Sequence, residues 1–197
     1  MNKIYLSLIA AGTILATLAS QALAEDQVEV KRVVVVQNIL QGNSTIKPKA
    51  NKSFVWVEIS IGQLSQLPAT LDLTTVRLKD TNEAEQEVLG VALGKRTDAK
   101  PFIDYFIGAP DTVDTSGPYG AAVFVSTTIE GPNVGKVEVK VDVTNKKANL
   151  TFHKAPSVLC LLFAVPKDPG ELAVTNVFGK SLKIQSGKSE SMKKKEK

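Results

Sequence analysis

Few residues in this chain carry side chains suited to chemistry, and those few are widely spaced. There is one histidine, His153, and one cysteine, Cys160. A thiolate nucleophile would need that imidazole as its base, together with an orienting acid and an oxyanion hole. Cys160 lies in SVLCLLFAV, and its apolar neighbours predict a buried thiol that packs as a small hydrophobe. His153, in TFHKAP, reads as an edge or turn residue. No Gly-x-Ser-x-Gly surrounds a serine, and no GxxxxGK[ST] motif offers a phosphate cradle. One imidazole and one thiol cannot fill a tetrahedral zinc site without two carboxylates from elsewhere. The sequence therefore favours a protein that is not an enzyme.

Oxygen ligands are better placed. Gly108–Gly120, GAPDTVDTSGPYG, concentrates glycine, proline and aspartate and reads as a loop. Asp111 and Asp114 lie three apart in it, with Thr112, Thr115 and Ser116 nearby. Such oxygens, with loop carbonyls, suit calcium, the one cofactor the sequence suggests. Turn aspartates that cap their own backbone are the competing reading. Tyr119 of the same loop and Trp56 are candidate binding rings, with Tyr105 and Phe106 as further surface for stacking a sugar. Glu83, Glu85 and Glu87 would share one face of an extended segment, as a solvated edge or an attraction for a cation or basic partner. Two carboxylates distant in sequence could also meet as a glycosidase pair.

The chain's formal charge of +4 is unevenly distributed. From Lys180 to the end it carries seven lysines and two glutamates, whereas Glu25–Gly179 is slightly acidic. GKSESMKKKEK has almost no apolar residues, and residues 186–197 read as a disordered, solubilising tail. No basic patch mixed with aromatics argues for specific nucleic-acid binding. At the other end, Met1–Ala24 has one lysine, a mostly apolar run and then Ala22-Leu23-Ala24. These are the parts of a secretory signal peptide, with a retained anchor as the alternative. Cleavage would leave Glu25–Lys197 in the periplasm or outside the cell, with no later segment apolar enough to span a membrane. Residues 25–185 then form a single domain, large enough to bury a core without disulfides.

What must position these residues is mostly β-structure. Val30–Leu40 is rich in β-branched residues. In SFVWVEISI, Val55, Val57, Ile59 and Ile61 form the better core face, leaving Phe54, Trp56 and Glu58 opposite. Val134–Val143 alternates most sharply, with Val137, Val139, Val141 and Val143 against Lys136, Glu138, Lys140 and Asp142. LDLTTVRL at 71–78 changes phase near Thr75, as at a bulge. The best helical candidate, Thr81–Leu89, is short. Roughly eight to ten strands without alternating helices predict an all-β antiparallel sandwich of immunoglobulin-like type, with a β-barrel as the alternative.

FVWVEISI at 54–61, LDLTTVRLKD at 71–80, LLFAVPKD at 161–168 and ELAVTN at 171–176 resemble the strand blocks of secreted bacterial immunoglobulin-like domains of the DUF4352 type. The lipidation cysteine of many members is missing here. The resemblance implies a surface or periplasmic module and supplies no catalytic residues. The sequence thus predicts an exported, noncatalytic module that binds or scaffolds a protein or glycan of the cell envelope. Its contacts would be the 108–120 loop, the charged face of Val134–Val143, or a sheet edge open to strand addition. The alternatives are a subunit of a surface assembly, paired through the VKRVVVV strand, and a hydrolase of unfamiliar type. Oligomeric state is left open.

Overall fold

The computed structural model describes residues 25–41, 43–81, 84–94, 103–107, 113–116, 124–142, 144–145, 147–156, 158–167, 170–184 and 189–191. In chain order the strands are β1 (Gln27–Val36), β2 (Ile39–Gln41), β3 (Ser44–Pro48), β4 (Lys52–Gln63), β5 (Ala69–Asp72), β6 (Arg77–Asp80), β7 (Glu85–Glu87), β8 (Gly90–Leu93), β9 (Tyr105–Phe106), β10 (Val113–Ser116), β11 (Phe124–Gly131), β12 (Gly135–Asp142), β13 (Lys147–Lys154), β14 (Val158–Pro166), β15 (Leu172–Val177), β16 (Lys180–Lys183) and β17 (Ser189–Ser191). They form four sheets: β17-β1-β4-β14-β8-β9, β10-β3-β2, β11-β12-β13-β5 and β16-β15-β6-β7. None closes on itself, so the architecture is the sandwich and not the barrel. Pairing is antiparallel except between β1 and β17.

The six-stranded sheet is buried on both faces. One face presents Val33, Val55, Val57, Ile59, Leu159, Leu161 and Phe163. It packs against Val137, Val139, Leu150 and Phe152 of one four-stranded sheet and Leu78 and Val174 of the other. The opposite face presents Phe54, Trp56, Cys160 and Leu162, covered by Ile39 and Ile46 of the three-stranded sheet and by Ile103 and Phe106. This second core explains why β14 reads as an unbroken apolar run, VLCLLFAVP: a central strand buried on both faces has no reason to alternate. It also corrects the expectation for Trp56. The indole is 4% exposed, so it is a core ring and not a surface platform. Phe106 is equally enclosed, whereas Tyr105 is half-buried.

Several expectations shift with the topology. The phase change at 71–78 is not a bulge. β5 and β6 belong to different sheets, joined by a turn in which Asp72 Oδ1 accepts from Thr74 N at 2.9 Å and Thr74 Oγ1 at 2.6 Å. Leu71 and Leu78 thereby reach the same core from two sheets. Thr81–Leu89 contains β7, which pairs with β6, rather than a helix. Within Gly108–Gly120, residues 113–116 form β10 against β3, so the segment is not loop throughout. Within the C-terminal tail, Ser189–Ser191 pairs with Val33–Val35 as β17. The strand total exceeds eight to ten because turns cut many runs into pieces of two to four residues.

Candidate functional site

The charged strand β12 lies where its alternation placed it. Val137, Val139 and Val141 are buried, and Lys136 and Lys140 are exposed; Val143 lies outside the described residues. Its charges are paired locally. Lys140 Nζ lies 2.8 Å from Glu138 Oε1, and Lys136 Nζ lies 4.0 Å from Glu130. The Lys140 hydrogen bond holds the Glu138 carboxyl below its ordinary range, with smaller help from His153. Asp142 accepts from the backbone and side chain of Asn145, at 3.0 and 2.6 Å, and its pKa is lowered by those two bonds.

Beside β12 runs β11, the outer strand of its sheet. The residues are FVSTTIEG, β-branched at four of eight positions. The hairpin between the two strands is set by Gly135 at φ 75°, where a Cβ would come within 2.1 Å of the Lys154 carbonyl oxygen. Val134 N donates to Gly131 O at 3.2 Å across the turn. β11 has the longest edge among the described strands that end a sheet; the other seven span two to four residues. Protein edges of this length are usually blunted by lysine, proline or a bulge. β11 has none of these, and Glu130 is its only charge. By contrast, β7 carries two glutamates and β16 two lysines.

Phe124, at the start of β11, is 71% exposed on the outer face. It borders an open depression of about 220 Å³ whose walls include Ser126, Lys140, Asp142, Lys147 and Asn149. Register explains the grouping, since Phe124, Asp142 and Lys147 form one row across three strands and Ser126, Lys140 and Asn149 the next. On the inner face, Val125 and Ile129 pack against the core yet remain partly exposed toward the edge.

Of the four expected site residues, Trp56 alone has a described side chain. Asp111 and Tyr119 lie outside the described residues. Asp114 is opposite Lys47 in the β10–β3 pairing, and its side chain is likewise outside them. Among the described residues no three His, Cys, Asp or Glu side chains form a group able to hold a metal. His153 is the extra residue of a bulge in β13, between the Lys136–Lys154 and Val137–Phe152 pairs, and it is exposed. Cys160 is buried in the second core, on the far side of the six-stranded sheet, so the two do not form a nucleophile–base pair. Glu85 is bound by Lys79 at 2.7 Å, and Glu87 is 3.5 Å from Arg77, so these carboxylates serve β6–β7 pairing. Glu83 lies outside the described residues.

Sequence reasoning did not single out Glu58. It is the one charged side chain buried among the described residues. Arg32 lies 3.1 Å from its Oε2 and Lys31 3.8 Å from its Oε1. The signal was in the alternation, which placed Glu58 on the face of Phe54 and Trp56. The β11 edge was also missed, because AAVFVSTTI looks the same whether it ends a sheet or lies within one. VKRVVVV, the strand expected to reach a neighbour, pairs with β4 along its length and with β17 at Val33–Val35.

No family model, curated protein or solved structure matches the chain.

Proposed function

We propose that this chain is an exported, noncatalytic β-sandwich that binds or scaffolds in the cell envelope or outside the cell, by strand addition at β11. The observation that carries this reading is the eight-residue outer strand, without lysine or proline, headed by an exposed phenylalanine. An extended segment laid along β11 gains main-chain hydrogen bonds, and alternate side chains choose the partner. The depression beside Phe124 has room for one such side chain. The leader-like Met1–Ala24 supports export, and the resemblance to secreted immunoglobulin-like domains supports a surface module. A hydrolase has no comparable support, since His153 and Cys160 lie in separate layers.

The test is cell fractionation of the wild type beside Thr127→Lys, which puts a blocking lysine on the exposed edge. The variant keeps the wild-type circular dichroism spectrum, because Thr127 is outside the core. The wild type is expected to sediment with the envelope and the variant to move to the soluble fraction. Equal distribution of the two would contradict strand addition at β11.

A further inference from the structure

We infer that the segment received by β11 is β11 of a second copy, paired antiparallel about a two-fold axis at Thr127. This inference rests on the strand-addition reading and names its partner. In that register Phe124 faces Glu130 of the second copy, Val125 faces Ile129, Ser126 faces Thr128, and Thr127 faces its own equivalent. Paired residues share a face of the sheet. The partly exposed Val125 and Ile129 therefore meet twice across the axis and complete each other's burial.

Charge agrees with this register. Glu130 is the strand's only charge, and it falls opposite Phe124 rather than another Glu130, with Lys136 on its other side at 4.0 Å. Moving the axis to Ser126 carries Ile129 and Glu130 past Phe124, where the described strand begins. Moving it to Thr128 carries Phe124 past Gly131, where the strand ends. Only the Thr127 axis uses the whole span 124–130. The arrangement is isologous and closed, so it ends at two copies. It joins two four-stranded sheets into one of eight strands, within the range that open sheets adopt.

A single edge buries less than the roughly 1,600 Å² of a standard interface, so association in the micromolar range is expected, with Kd roughly 1–100 µM. Sedimentation of the exported protein from low to high micromolar concentration should show a monomer–dimer equilibrium. Thr127→Lys should weaken it at least tenfold. Thr127→Cys should give a disulfide-linked dimer under mild oxidation, because opposed β-carbons lie within bridging range. Glu130→Cys should not, since the two positions then sit at opposite ends of the paired segment. Cys160 is buried and stays silent.

Monomer at every concentration with no Thr127→Cys bridge overturns the second copy as partner. A bridge through Glu130→Cys instead overturns the Thr127 axis. If the protein is monomeric yet Thr127→Lys still releases it from the envelope, strand addition stands with a foreign strand in β11's place. If neither association nor envelope retention responds to Thr127→Lys, both readings fall.

Discussion

Glu58 is satisfied by one extra residue in the neighbouring strand. The β1–β4 register advances two residues on β1, from Val30 to Arg32, for one on β4, from Ile59 to Glu58. Lys31 is the extra residue, and the bulge brings it and Arg32 to the same carboxylate. Removing one member of a buried pair costs roughly 3–5 kcal/mol, but both cations here are half-exposed and keep part of their hydration. Glu58→Ala is therefore expected to lower unfolding free energy by about 2 kcal/mol; an unchanged urea midpoint would contradict the clamp. Asp26 acts at the other end of β1. Its carboxylate accepts from Ser65 N at 2.5 Å, and bonds from the Ser65 backbone and side chain, then Lys180, hold its pKa below the ordinary 3.8. Lys180 also reaches Glu25 at 2.9 Å and the Asp26 carbonyl. A carboxyl lowered on folding adds stability that is fully present above its unfolded pKa and is lost as pH falls through the folded value. Thermal melts should thus show Asp26→Asn losing less stability than the wild type between neutral pH and strongly acid pH. Equal losses would contradict the Asp26–Ser65 anchor.

At the scale of elements, the β11–β12 hairpin depends on Gly135. An alanine there meets both a left-handed φ of 75° and the Lys154 carbonyl at 2.1 Å. The φ alone costs about 1–2 kcal/mol, and relieving the contact must shift β12 against β13. Gly135→Ala is expected to lose at least about 2 kcal/mol in chemical denaturation, and it should weaken association by deforming the edge. Stability equal to the wild type would show that the turn is not so constrained. The strands that alternate were legible from their residues. The inner faces of β12 and β4 sit where their valines and isoleucines predicted. What alternation could not convey was coverage of the opposite face. Trp56 and Phe54 looked outward because Ile39, Ile46, Ile103 and Phe106, which cover them, come from short pieces with no clear period. Tertiary placement likewise decided Asp72, where a polar turn moves the chain between sheets although the residues on either side read as one strand. The candidate site was legible as composition, in AAVFVSTTI, but its value lies in being outermost, and strand order is not written in a single strand's residues.

At the scale of the whole molecule, three layers share one central sheet, and most sheet ends are short, charged or taken. The β1 edge carries a bulge, three charged residues at Glu29, Lys31 and Arg32, and β17 over Val33–Val35. β16 and β7 carry charges, and β9 is two residues long. Against that background the β11 edge is the exception among the described strands, which is why strand addition is proposed there. The most direct measurement is residue-by-residue amide hydrogen exchange along β11 in dilute protein. Alternate β11 amides, those directed away from β12, are predicted to exchange as fast as solvent-exposed backbone, while those bonded to β12 are protected. Uniform protection along β11 at the lowest concentration would mean that the edge is already covered within one chain, and the account of strand addition would be wrong.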